Sequence, residues 1–180
     1  MTHGANKGRK AEREVAKLCQ EWWRRLEPGC EMVRTPLSGG WSGPTVRASF
    51  RASGDLMTTA DRWPFTVEVK RRECWNVGRL FAGQTSPAWG WWQQAVEQAR
   101  EEGGVPMLWC RKNQYRPGQP AFPWLVMLPV EFSKSRLPTA DVRWTEVQLF
   151  GSEIDFAGEL PALWFAERLL VIDPRRLAIK

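Results

Sequence analysis

The sequence predicts an α/β (α+β) fold in which helices flank a mixed β-sheet, and three stretches predict it. Between Lys10 and Leu26 the apolar residues Ala11, Val15, Leu18, Cys19, Trp22 and Leu26 recur at helical spacing, with Arg13, Lys17 and Arg24 opposite them. From Phe65 to Lys70, apolar Phe65, Val67 and Val69 alternate with Thr66, Glu68 and Lys70, which is the period of a strand. From Trp91 to Glu102 the helical spacing returns through Trp92, Val96 and Ala99, stops at Gly103-Gly104, and gives way to the apolar run Val105 to Cys110. Helices and strands in this order place a sheet between helical layers.

Along the chain, Asn6-Lys7-Gly8-Arg9-Lys10 is a basic segment ahead of the first helix, suited to phosphate contact. Pro28-Gly29 ends that helix, and Glu31 to Arg34 reads as a short strand. Thr35 to Gly54 is rich in Gly, Ser, Thr, Pro and Arg, a long loop whose Arg47 and Arg51 suit a clamp on a DNA backbone. Asp61-Arg62-Trp63-Pro64 has the composition of a turn, which predicts a hairpin with Asp55 on one arm and Glu68 and Lys70 on the other. Asn76 to Trp89 reads as irregular. Further on, Phe122 to Phe132 reads as strand despite Pro123 and Pro129, Val142 to Val147 as a weak strand, and Ala162 to Arg168 as a short helix. Helical spacing puts Trp22 and Trp92 in the core, whereas Trp41 and Trp89, in Gly/Pro-rich segments, are the candidates for exposed contact with unpaired bases.

A chain of 180 residues fits one compact domain, 1–180, with no second domain or internal repeat. Its charge of +6 and pI of about 9.5 favour an acidic partner such as nucleic acid. No apolar run approaches the roughly 18 residues of a membrane span, and the expected location is the cytoplasm. Cys19, Cys30, Cys74 and Cys110 form no C-x-x-C pair, so reduced core thiols are expected rather than zinc or disulfides. His3 is the single histidine and stands outside any patterned element, which excludes a Ser-His-Asp hydrolase, a histidine-based nuclease and a His-rich metal site. Chemistry on this chain must therefore run on carboxylates, lysine and a metal ion.

Glu68 and Lys70, two residues apart on a strand, share one face. With Asp55 brought alongside, two carboxylates and a lysine would converge into a site for a hard divalent cation and a polarised water, which suits phosphodiester hydrolysis. The competing reading makes Glu68 and Lys70 a charged ladder on the solvated face of an amphipathic strand. On the first helix, steps of roughly 100° put Glu12 at the edge of the apolar arc, able to reach inward, while Glu14 points away as a solvated or salt-bridging residue.

Taken together in order, these residues give the chain a resemblance to the PD-(D/E)xK nucleases, and within them to archaeal-type Holliday junction resolvases and related small phage endonucleases. The resemblance rests on Lys7-Gly8-x-x-x-Glu12-Arg13-Glu14 opening a helix, Val33-Arg34, Ser38-Gly39, Gly54-Asp55-Leu56, Val67-Glu68-Val69-Lys70 and Gly103-Gly104-Val105-Pro106. It covers residues 6–113 and implies a restriction-endonuclease-like core, with 114–180 an unmatched extension of the same domain. It implies that Asp55 and Glu68 bind Mg2+, with Mn2+ able to substitute, assisted by Glu12 and the Val69 carbonyl, while Lys70 orients or helps deprotonate the attacking water. Lys7, Arg9, Arg13, Arg34, Ser38, Arg47 and Arg51 are the candidate DNA contacts, and either Gln93 or Gln94 would approach the lysine. The long loop after Arg34 and the extension depart from compact resolvases and bear on branched-DNA specificity more than on hydrolysis.

The implied function is a Mg2+-dependent DNA endonuclease, in its narrower form a resolvase of branched DNA. A two-fold homodimer would match the symmetry of a four-way junction. The alternatives are a nuclease acting on linear duplex or single-stranded DNA, a nucleic-acid-binding protein that keeps the scaffold without turnover, and a protein-interaction module.

Overall fold

The computed structural model describes residues 3–36, 50–73, 75–76, 78–79, 82, 84–113, 123–136 and 161–178, the side chains of 3–6 excepted. Ser38, Trp41, Arg47, Cys74 and the expected strand Val142 to Val147 lie outside the described residues.

Helix α1 (His3–Trp23) begins earlier than the apolar pattern suggests. The basic segment from Asn6 to Lys10 is its opening turns rather than an arm, because Ala5, Lys7, Arg9 and Lys10 are good helix formers that run without a break into the amphipathic stretch. Strands β1 (Met32–Arg34), β2 (Arg51–Ser53) and β3 (Leu56–Thr58) form a small antiparallel sheet in the order β1-β3-β2. Strand β4 (Phe65–Arg72) then runs parallel to β5 (Val105–Lys112), with Glu68 opposite Leu108 and Lys70 opposite Cys110. Helix α2 (Pro87–Glu102) makes the crossover between them. It is capped by the Ser86 side chain and ends at Gly103, whose N–H donates to the Ala99 carbonyl and whose left-handed φ of 72° brings the Gly104 N–H to the same carbonyl at 2.9 Å.

Strand β6 (Leu125–Pro129) pairs antiparallel with β5, and β7 (Pro161–Phe165) pairs antiparallel with β6, giving a mixed sheet in the order β4-β5-β6-β7. The sequence 130–136 turns into a short helix, α3 (Val130–Arg136), and β7 is followed by α4 (Ala166–Leu169) and a 3-10 turn at Pro174–Arg176. The expected helix from Ala162 is therefore strand as far as Phe165. Alternate residues Ala162 and Trp164 are buried there, and pairing with β6 overrides local propensity.

The sheet separates two apolar cores. On one side Val67, Val69, Met107, Trp109 and Val126 pack with the apolar stripe of α1; on the other Leu108, Cys110, Leu125 and Met127 pack with Trp92, Ala95 and Val96 of α2. Both faces of β4 are consequently covered, and Glu68 is only 4% exposed. The reading of Glu68 and Lys70 as a solvated ladder is overturned by this burial. Trp22 and Trp92 are core residues as their spacing implies. Trp89 is not an exposed contact: it lies on α2, buried, with Nε1 donating to the Gln84 carbonyl at 3.0 Å. Trp22, Trp23, Trp63 and Phe65 form an edge-to-face aromatic cluster that joins α1 to the turn before β4.

Glu14 is a salt-bridging residue with a structural task. Its carboxylate accepts both Arg111 guanidinium nitrogens at 2.7 Å and the Trp124 indole at 3.0 Å, and that guanidinium lies 4.3 Å from the Trp124 ring centre. Burial alone would raise the Glu14 pKa, but the hydrogen bonds from Arg111 and Trp124 and the charges of Arg111 and Arg71 outweigh it and hold the pKa below its ordinary value of 4.5. A carboxyl with a depressed folded pKa stabilises the fold above its unfolded pKa and loses that contribution as pH falls. Glu14→Ala should cost about 2 kcal/mol in urea unfolding at pH 7, reduced from a fully buried pair because Glu14 is partly exposed. The gap between native and variant should stay constant above pH 4.5 and narrow below it.

Candidate active site

The site is built around a two-residue turn. Strands β2 and β3 pair with Ser53 opposite Leu56, so Gly54 and Asp55 are the tip of a tight hairpin, and Gly54 has φ 72°. The hairpin that contains Asp55 is thus β2-β3. Asp55 and Glu68 do not sit on opposite arms of one hairpin; the tip instead docks alongside β4 through a parallel bridge between Gly54 and Val67. A Cβ on Gly54 would lie 2.3 Å from the Val67 carbonyl oxygen, so only glycine allows both the turn and the approach.

Each backbone polar group of the tip has its own partner. The Asp55 N–H donates to the Val67 carbonyl at 2.7 Å, and the Asp55 carbonyl accepts from Thr35 N–H at 2.7 Å. The Gly54 carbonyl accepts from the Thr35 hydroxyl at 2.8 Å, and the Gly54 N–H donates to Glu102 Oε2 at 2.9 Å. Glu102 closes α2 and also accepts from the Thr66 hydroxyl at 3.3 Å and the Gln98 amide at 3.1 Å. Neither Thr35 nor Glu102 is apparent as a site-building residue in the sequence. The Gly-Asp pair at a hairpin tip is the one local signal that could have placed the turn.

With its backbone fixed, Asp55 directs Oδ2 to accept from the Val69 N–H at 2.8 Å. Glu68, buried beside it, is ion-paired with Lys70. Glu12 on α1 is 3.1 Å from Arg34, whose guanidinium also donates to the Thr35 carbonyl at 3.1 Å. Gly8, Glu12, Asp55, Glu68, Val69 and Lys70 line one cavity of about 330 Å³ at the free edge of β4, between the two helices. Gln94 lines it as well, and Gln93 is not among its lining residues. Gln98, one turn further along α2, is a lining residue that sequence reasoning missed.

The remaining basic candidates fall into distinct places. Arg13 is exposed, and Lys7 pairs with Glu73 at 2.5 Å. Arg9 is half-buried, with its Nε lacking a partner among the described residues. Arg51 directs its guanidinium to the carbonyls of Ala60 at 2.7 Å and Trp63 at 2.5 Å, a tie within the fold.

The donors in the cavity are all carboxylate or carbonyl oxygen, the set that hard divalent cations take. Burial first, then the charges of Glu68 and Glu12, push the Asp55 pKa up to about 7, against the Val69 N–H and Lys70, which favour the ionised form. A divalent cation among these oxygens would relieve that crowding. Because Glu12 leans on Arg34 and Glu68 on Lys70, no cage of three or more ligating side chains is preformed among the described residues.

A family model described as "Phage putative PDDEXK endonuclease" matches residues 4–155. The chain belongs to that family. The match starts within α1, takes in every residue lining the cavity, and extends past the 6–113 span of the motif resemblance. No curated protein and no solved structure matches the chain. PDDEXK nucleases generally use divalent metals and act on DNA, and no helix among the described residues is long and apolar enough to cross a membrane.

Gly54→Ala places the new Cβ against backbone on a strained φ and should destabilise the protein by about 3 kcal/mol. Chemical denaturation would measure that loss. A variant as stable as the native chain would show that the tip can retreat from β4.

Proposed function

We propose that this PDDEXK-family chain is a Mg2+-dependent DNA endonuclease whose reaction runs in the cavity lined by Glu12, Asp55, Glu68 and Lys70. The single observation that carries the reading is that these four residues, drawn from α1, the hairpin tip and β4, converge on one cavity although they are spread over 59 positions of sequence, from Glu12 to Lys70. Asp55 and Glu68 would hold the cation, with Glu12 joining them directly or through water and the Val69 carbonyl assisting. When bound, the cation would supply Lewis acidity toward the scissile phosphate. Lys70 would orient or help deprotonate the attacking water and offset the charge that develops on the phosphate. Gln94 lines the same cavity as Lys70. Arg13 and Arg34, with Lys7 and Arg9 on the same helix as Glu12, contact phosphates on either side of the cut, and Ser38 and Arg47 remain candidates for the same task, whereas the Arg51 guanidinium is held by carbonyls of the fold.

Residues 1–180 form a single nuclease domain. Strands β6 and β7 support this, since they lie beyond residue 113 and yet extend the sheet of β4 and β5. The narrower form, a resolvase that nicks branched DNA as a two-fold dimer, draws its support from the Lys7-Gly8-x-x-x-Glu12-Arg13 helix start.

Cleavage of a four-way junction, a linear duplex and single-stranded DNA, with Mg2+ or EDTA, tests both levels. The native chain should cut with Mg2+ and not in EDTA. Lys70→Ala should lose roughly 10²-fold or more in rate while remaining folded, as circular dichroism would show. Cleavage retained by Lys70→Ala overturns the site. Paired nicks confined to the junction support the resolvase, and equal cutting of all three substrates discards it while keeping the nuclease. Tight binding with no cutting of any substrate would favour a binding protein on this scaffold.

A further inference from the structure

Beside the candidate active site lies a second, larger cavity of about 460 Å³, and the two share Arg71 and Arg72 at the end of β4 as a common wall. Its composition differs from that of its neighbour. Trp75 and Trp91 form one side, in edge-to-face contact with ring centres 5.4 Å apart and interplanar angle 78°, and Pro87 at the start of α2 adjoins them. Lys7, Arg71 and Arg72 supply positive charge. The single carboxylate, Glu73, is held by Lys7 and by the Asn113 amide at 3.4 Å, and Asn113 in turn accepts from Arg71. Arg72 is exposed and has no ion pair among the described residues.

Trp75 is 5% exposed and packs behind Trp91, which is half-buried on the same cavity and leaves part of its ring open to a planar partner. An aromatic wall and an arginine wall in a volume of the usual small-ligand size match an unpaired nucleotide: base against indole, phosphate against guanidinium. A fully stacked duplex cannot present a base to such a wall.

We infer that this cavity receives an unpaired nucleotide flanking the cleaved phosphate, so that the enzyme acts on DNA with a single-stranded bulge, flap or junction point beside the cut. The inference rests on the nuclease reading of the neighbouring cavity for its location, and on its own residues for its ligand. Trp91 stacks on the base, Trp75 backs that ring edge-to-face, and Arg72 holds the phosphate that passes between the two cavities.

Binding is measured apart from cleavage, by fluorescence anisotropy with Ca2+, a hard cation of the same charge, in place of Mg2+. The probes are a labelled duplex with a three-nucleotide bulge and the fully paired duplex of the same flanking sequence. The native chain should prefer the bulged duplex by about tenfold, the scale of one base–aromatic stack. Trp91→Ala should lose that preference with its affinity for the paired duplex unchanged, Trp91→Phe should retain most of it, and Arg72→Ala should weaken both probes and flatten the salt dependence. Equal native affinity for the two probes, absence of binding to either, or a parallel loss on both probes in Trp91→Ala overturns the subsite. Cleavage with Mg2+, read separately, distinguishes the two failures. A chain that cuts without preferring the bulge keeps the nuclease and loses the subsite. One that prefers the bulge and cuts nothing keeps the subsite and loses the nuclease.

Discussion

The close approach of the Gly54-Asp55 tip to Val67 is the constraint on which the site depends. Backbone meets backbone there without room for a single methyl group, and a left-handed glycine permits it. The approach links the small antiparallel sheet to the four-stranded sheet and puts Asp55 next to Glu68. Four hydrogen bonds to the tip come from three separate parts of the chain: Thr35 after β1, Val67 in β4 and Glu102 at the end of α2. The tip is thereby fixed, and Asp55 Oδ2 accepts from the Val69 N–H at 2.8 Å.

Around that point the fold sorts charge by its work. Glu14 with Arg111 and Trp124 ties α1 to β5 and the start of β6, and Glu27 accepts from the backbone N–H groups of Asp61 and Arg62 to fix the turn ahead of β4. Arg25 and Trp22 likewise donate to the carbonyls of the segment after α4. Those charges are matched within the protein. At the cavity the balance differs: Asp55, Glu68 and Glu12 crowd together with Lys70 and Arg34, and Asp55 is pushed up to about 7 by burial and by its neighbours. A carboxyl raised by burial and by neighbouring carboxylates, in a cavity, is the signature of a candidate functional position. Next to it, an aromatic wall and an exposed arginine extend the same character along the end of β4.

The amino-acid sequence by itself determined the layers and singled out the candidate chemical groups. Apolar periodicity fixed α1, α2 and the strand at Phe65 to Lys70, because burying an apolar stripe or face is what chiefly holds each element in place, and it is written at that element's own spacing. The Glu-x-Lys pair and Asp55 stood out by their composition, and the single histidine ruled out whole reaction classes. Tertiary structure alone decided which polar groups meet. Gly54 and Glu102 are 48 positions apart and Glu14 and Arg111 are 97 apart, and no local pattern encodes a hydrogen bond across such distances. It chose Gln94 over Gln93 for the cavity, buried Trp89 on a helix begun at Pro87, and covered the face of β4 that alternation had left to solvent. In each case the deciding quantity was what another element packed against the residue, and a one-dimensional pattern records which side a residue faces but not what it will find there.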